Sequence, residues 1–220
     1  MYFSATTLTG GDGRFHCVGT ATSHSISGPY DSNSDTPFAC PLEKGGAIDA
    51  SGFRDTNGAR YVVYKIDANA IGNGGVCNNQ VPPIQETSIM LQRVEEDGLT
   101  KIGDEIKILA NGEYDGGNIQ APVMSKAADG TYVLYFSSNC YTTADYATSY
   151  ATGPSPTGPF EKTAFPLLLT GNGIWGPGGA SVTVGGEFMA FHGYASEEDV
   201  GGRRAMYVAH PVHVGDRVSV

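Results

Sequence analysis

Two stretches of the chain, ATSHSISGPY (Ala21 to Tyr30) and ATGPSPTGPF (Ala151 to Phe160), align without a gap, and this repetition constrains the fold more than any other feature. Both keep Ala-Thr, a central Ser and Gly-Pro-aromatic. Tyr2-Phe3-Ser4 likewise returns as Tyr135-Phe136-Ser137, and related apolar runs appear as RYVVYK (Arg60 to Lys65) and EFMAFH (Glu187 to His192). Three of these four runs follow a turn: Thr56 to Ala59, Ala128 to Thr131, and Gly185-Gly186. In the Ser-x-x-Gly-Pro-aromatic repeat, proline removes an amide donor and ends strand pairing, while glycine permits the bend. Strands recurring at roughly 55 to 70 residues suit propeller blades of four short strands. A sandwich with coincidental turns is the alternative architecture.

Composition supports an all-β chain. There are 31 glycines among 220 residues, Tyr, Phe, Thr and Val recur in short runs, and no long stretch shows helical periodicity. A chain of this length holds one substantial core, and we read residues 1–220 as a single domain. The net charge of −10 argues against nucleic acid and anionic membranes as partners, because both need clustered Lys and Arg. A neutral ligand such as a sugar fits an acidic surface. No apolar run approaches the length of a transmembrane helix. Met1 is followed directly by YFSATT, without a signal-peptide pattern, which leaves the compartment open.

The four cysteines (Cys17, Cys40, Cys77 and Cys140) have no Cys-x-x-Cys spacing, which speaks against a zinc site. Cys40 and Cys77 flank one strand unit and are the preferred disulfide pair, with unpaired buried thiols as the alternative. Counting strands gives about three and a half to four blades. An open ring of blades would expose strand edges and an apolar face, so either the chain closes as a smaller ring or a partner covers the gap. Two copies pairing through those edges, a homodimer, is the expected arrangement.

The motifs, taken in order, resemble glycoside hydrolase family 43, the five-bladed β-propellers that cleave arabinose- and xylose-containing plant polysaccharides. The matching segments are HCVGTATSHSISGPY, GGAIDASGFRDTNGARYVVYK, IQAPVMSKAADGTYVLYFSSNCY, GPGGASVTVGGEFMAFHG and RRAMYVAHP, and fungal members are the most similar in texture. The resemblance implies an incomplete, N-terminally truncated propeller of the arabinofuranosidase or xylosidase type. It also implies three carboxyl groups at a central funnel: a general base, a general acid, and a third carboxylate that tunes and orients the acid, in an inverting arrangement.

Carried over residue by residue, Asp49 falls on the pKa-modulating aspartate, with a turn-forming Asp as the bland alternative. Gln120 falls on the general acid, where the family has Glu. An amide is nearly isosteric with a carboxylic acid, but it cannot deliver a proton and leave a stable anion. The base is implied to lie in a first blade upstream of this sequence. Asp12, in a GGDGR turn, reads as solvated, and Glu113 and Asp115 read as loop residues without a fixed aim. Asp55 reads as an ordinary turn residue. His192 and Arg204 match positions that line the sugar pocket; the alternatives are a strand-capping histidine and a rim ion pair with Glu197 or Glu198. Trp175 and Phe53 are candidate stacking surfaces, with core packing as the alternative. Gly179 stands where the family often has a histidine, so the expected cofactor list is empty and a central-channel cation is disfavoured. His16, His24, His210 and His213 show no metal-ligand spacing, and the HPVH segment reads as an exposed strand. The implied function is that of a catalytically impaired family 43 relative; the alternative is a non-catalytic sugar-binding or interaction propeller.

Overall fold

Along the strand Arg60–Ile66, Val62 faces one hydrophobic cluster and its neighbour Val63 faces another. Alternate residues of a strand point to opposite faces, so a run that is apolar throughout must be covered on both sides. That burial on two faces is what stacks successive sheets here. The computed structural model describes residues 1–8, 13–32 and 35–220. Its strands are β1 (Tyr2–Thr6), β2 (His16–Thr22), β3 (Asp31–Ser32), β4 (Ala47–Arg54), β5 (Arg60–Ile66), β6 (Ser88–Val94), β7 (Lys101–Ala110) and β8 (Ile119–Lys126). They continue with β9 (Tyr132–Ser138), β10 (Ala147–Gly153), β11 (Glu161–Lys162), β12 (Trp175–Val182), β13 (Met189–Tyr194), β14 (Arg204–Ala209), β15 (Val212–Val214) and β16 (Arg217–Ser219).

Strands β4 to β7 and β8 to β11 form two four-stranded antiparallel meanders. Strands β1 to β3 and β12 to β14 form three-stranded sheets, and β15 and β16 a hairpin. The first strands β4, β8 and β12 pack side by side, with β1 against β4. The chain is therefore an all-β propeller with incomplete outer blades. Three clusters fill the spaces between sheets. Val18, Phe38, Val62 and Tyr64 lie between the first and second sheets, Val63, Ile119, Leu134 and Phe136 between the second and third, and Val123, Tyr135, Met189 and Phe191 between the third and fourth.

The sequence repeat maps onto this architecture. The Ser-x-x-Gly-Pro-aromatic stretches connect β2 to β3 and β10 to β11, and each contains a cis Gly-Pro bond, Gly28-Pro29 and Gly158-Pro159. In both turns the glycine amide donates to the serine carbonyl three residues back, at 3.0 Å.

Two expectations need correction. The disulfides join Cys17 to Cys40 and Cys77 to Cys140, not Cys40 to Cys77. An antiparallel bridge between Val18 and Ala39 sets the flanking Cys17 and Cys40 side by side, Cα atoms 4.7 Å apart. Asp55 is also more than a turn residue. It is buried, and its carboxylate accepts from Tyr132 Oη at 2.7 Å, Lys126 Nζ at 3.0 Å and the Thr56 amide at 2.6 Å. It joins the β4–β5 turn to β8 and β9 of the next blade.

Burial would raise the Asp55 pKa, but the bonds from Tyr132, Lys126 and Thr56 together hold it below the ordinary value. A depressed folded pKa adds stability above the unfolded value, near pH 4, and that contribution is lost as pH falls further. Asp55→Ala is expected to cost about 2–4 kcal/mol at neutral pH, through the loss of hydrogen bonds to a charged group and the stranding of the Tyr132 hydroxyl. Urea denaturation checks this; a loss under about 0.5 kcal/mol, the range of ordinary surface changes, would show the staple to be idle.

Candidate functional site

The three axis-facing strands share one irregularity. Strand pairing skips between Ile48 and Ser51 in β4, between Gln120 and Val123 in β8, and between Gly178 and Ser181 in β12. The first residue of each skip is left-handed: Asp49 at φ 58°, Ala121 at φ 51° and Gly179 at φ 62°. These are β-bulges at matching depth, and they turn the strand start toward the axis. By register, Gln120 is therefore equivalent to Ile48 and Gly178, and Asp49 to Ala121 and Gly179.

A bulge leaves an amide without a ladder partner, and each finds one on the preceding blade. The Asp49 amide donates to Ser4 Oγ at 3.1 Å, the Ala121 amide to Asp49 Oδ2 at 3.0 Å, and the Gly179 amide to Ser137 Oγ at 2.9 Å. Ser4 and Ser137 are the last residues of the repeated Tyr-Phe-Ser, so the repeat has a purpose in joining blades. In the second blade Asp49 takes over the acceptor task. One carboxylate oxygen is thereby committed to Ala121, and the other is left for the site.

The residue opposite Ile48 on β5 is Lys65, as Ser137 is opposite Gln120 and His192 opposite Gly178. Lys65 is fully buried; its ammonium donates to Asn69 Oδ1 at 2.8 Å and to Asp67 Oδ1 at 3.4 Å. Burial lowers the Lys65 pKa, against the pull of Asp67 and Asp49. Burial raises the Asp49 pKa, against Lys65 and the Ala121 amide. Each group thus limits what burial does to the other.

Around them opens a pocket of about 340 Å³, lined by Ser4, His16, Asp49, Lys65, Asp67, Asn69, Asn118, Gln120 and Tyr141 among others. It sits at the small end of the range for small-ligand pockets, roughly 300–1,000 Å³. The bulge residues of all three blades line a second concavity, of about 240 Å³, along the axis. Concavities of about 740 and 520 Å³ elsewhere lie away from the axis and from Asp49 and Gln120.

Gln120 is buried; its Nε2 makes no hydrogen bond of good geometry, and its side chain faces the Tyr146 hydroxyl. Beside it Asn118 Oδ1 is also buried and unpartnered. Tyr146 lies under both Gln120 and Ser137. Its pKa is pushed up to about 12, chiefly by burial, with Asp49 adding to the rise and Ser137 opposing it.

The other sequence candidates are dispersed. His192 stacks on Tyr146, rings 5.8 Å apart, and its buried Nδ1 is unpartnered. Burial lowers its pKa, with Arg204 acting in the same direction. Gly179 is bare because a Cβ there would lie 2.5 Å from His192 Nε2. Among the described residues no three metal-ligating side chains converge. Arg204 does not pair with Glu197 or Glu198. It donates to the Tyr141 carbonyl at 3.1 Å and lies over the Tyr141 and Tyr194 rings.

Phe53 is not a stacking surface in the pocket: it packs on Tyr61 and Tyr132 in the core, four residues along β4 from Asp49. Trp175 begins β12, three residues before the bulged end, and is outside the pocket lining. Asp115 has a fixed aim, contrary to expectation, but within its own blade. It is buried, bonds Ser138 Oγ at 2.7 Å and the Gly112 amide at 2.6 Å, and pairs with Lys162. His213 is no free strand residue, since its Nε2 lies 2.6 Å from the Tyr135 hydroxyl. Asp12 lies outside the described residues.

Sequence reasoning missed His16, Lys65, Asp67, Asn69, Asn118 and Tyr141. One signal was visible: Lys65 interrupts the apolar run from Tyr61 to Ile66, where a charge must have buried partners.

The fold is a propeller that sets a carboxylate, an amide and a buried ammonium around a pocket at the inner ends of its blades. The model of glycosyl hydrolases family 43 matches residues 1–212, and the chain belongs to that family. It is similar to a β-D-galactofuranosidase, xynD, of Aspergillus niger, at 30% identity over 76% of this chain and 41% of that protein; the chain thus spans less than half of this relative. Among solved structures, a thermostable family-43 glycoside hydrolase superposes with a TM-score of 0.81 at 25% identity, covering all of this chain and 69% of the other. An endo-arabinase from Bacteroides thetaiotaomicron superposes with a TM-score of 0.67 at 18% identity, over 98% and 72% of the two chains, and shares the fold.

Proposed function

We propose that this propeller binds arabinose- or xylose-containing glycans of plant cell walls in the Asp49–Gln120 pocket and hydrolyses them poorly. The observation that carries this reading is Gln120. It is 7% exposed, it lines the pocket with Asp49, and it occupies the position that the family resemblance assigns to the proton donor. Its amide offers no proton for a departing glycosidic oxygen. The sugar class follows the family and the endo-arabinase that shares the fold.

An active hydrolase is the second reading, favoured by the 30% identity to a galactofuranosidase. It needs another proton donor, and the nearby carboxyl groups are engaged. Asp115 is held by Lys162 and Ser138, and Asp67 by Lys65, with His16 Nδ1 at 3.9 Å.

Calorimetric titration with arabino- and xylo-oligosaccharides, run beside hydrolysis of aryl α-L-arabinofuranosides and β-D-xylosides, tests the proposal. Binding with turnover at background is expected; rapid hydrolysis by the unmodified protein would overturn it. Asp49→Ala is expected to weaken binding about 10- to 100-fold, the equivalent of one hydrogen bond to a charged acceptor. Unchanged binding by a folded Asp49→Ala protein would put the site elsewhere. Because the Asp49 pKa is raised, affinity should fall on acidification earlier than for an ordinary aspartate, as the acceptor becomes protonated.

A further inference from the structure

Tyr141 is an exposed aromatic residue on a loop that is anchored on every side. The loop 139–146 joins β9 to β10, and 46% of the tyrosine surface is open to solvent. The preceding residue, Cys140, is bonded to Cys77, which lines the same pocket. The Tyr141 carbonyl accepts from Tyr194 Oη at 2.9 Å and from Arg204 Nη2 at 3.1 Å. The Arg204 guanidinium lies over the ring, 5.2 Å from its centre. Nothing in the hydrophobic clusters uses this ring. A large apolar surface held rigidly in water, at the wall of a pocket, is pre-organised for a ligand, because its ordering cost is met before binding.

The pocket presents the matching polar half. Asp49, Lys65, Asn118 and Gln120 line the pocket with Tyr141. A sugar ring carries C–H faces that suit an aromatic surface, and hydroxyls that donate and accept at once. Arg204 lies over the Tyr141 ring, and the ring is half open to solvent.

We propose that Tyr141 is the stacking surface of this pocket, holding a single sugar ring whose hydroxyls meet the polar residues that line the pocket with it, Asp49 and Gln120 among them. The assignment rests on the glycan-binding reading above and replaces Trp175 and Phe53 as the aromatic contact. Arg204 is a positioning residue: it fixes the tyrosine, and the Cys77–Cys140 bond fixes the loop beside it.

The test is calorimetric titration of xylotriose and arabinotriose into the unmodified protein and into Tyr141→Ala, Tyr141→Phe and Asp49→Ala, each checked for folding by thermal denaturation. Tyr141→Ala is expected to lose about 10-fold or more in affinity, and Tyr141→Phe to stay within about threefold, because the ring and not the hydroxyl makes the contact. Equal affinity of Tyr141→Ala and the unmodified protein, with Asp49→Ala impaired, would overturn the stacking assignment and leave the glycan-binding reading intact. A loss in Tyr141→Phe as large as in Tyr141→Ala would also overturn it, because the hydroxyl would then be the contact. Failure of the unmodified protein to bind either trisaccharide would overturn both readings.

Discussion

Lys65→Met should destabilise the protein by about 3–5 kcal/mol at neutral pH, the usual loss when one partner of a buried ion pair is removed. Methionine replaces the aliphatic stem almost in full, so little packing is lost and the effect isolates the charge. What remains is Asp49 and Asp67 at the pocket without the ammonium that faced them, and Asn69 Oδ1 without its donor. The pH dependence gives the mechanism away. Burial already raises the Asp49 pKa, and Lys65 is the largest influence holding it down. Without Lys65 the folded pKa climbs further above the unfolded value. A raised carboxyl pKa contributes stability that is complete below the unfolded value and lost as pH rises through the folded value. The deficit of the variant should therefore be widest at neutral pH and narrow toward pH 5. Urea denaturation at both pH values measures it. A deficit that is constant across that range would mean that lost packing, rather than stranded charge, destabilises the variant.

If Gln120 stands at the proton-donor position, as proposed above, Gln120→Glu should supply a proton donor without raising turnover. The new carboxyl group would stand in a buried site beside Asp49, and desolvation and the neighbouring negative charge would both raise its pKa. It would be protonated in the range where a general acid operates. Inverting hydrolysis also needs a carboxylate on the opposite face of the sugar to activate water. Among the described residues the remaining carboxylate on the pocket is Asp67, which Lys65 and His16 engage. Lacking one such group costs about 10²–10⁴-fold in rate, so the substitution alone should leave hydrolysis of aryl arabinofuranosides and xylosides near background. Strong hydrolysis by Gln120→Glu would show that Asp67, Asp12 or a further carboxylate completes the site.

The sequence by itself determined the blades. Runs such as Tyr132 to Phe136 are apolar at every position, which demands cover on both faces. The turns and the Ser-x-x-Gly-Pro-aromatic repeat mark where each strand ends. These are local instructions, written within a few residues of where they act. They sufficed for an all-β propeller; the family resemblance, and not these local signals, pointed to Asp49 and Gln120. Only the tertiary structure decided what those residues meet. Asp49 reaches the amide of Ala121, Asp55 reaches Lys126 and Tyr132, and Cys77 reaches Cys140, over separations of 72, 71, 77 and 63 residues. Each partner is chosen by the packing of one blade on the next and by a bulge that adds a residue to one strand, and a strand's own alternation carries no record of either. For the same reason Phe53, an aromatic residue four positions beyond Asp49, belongs to the core, while Tyr141, at the end of a polar loop, stands at the pocket.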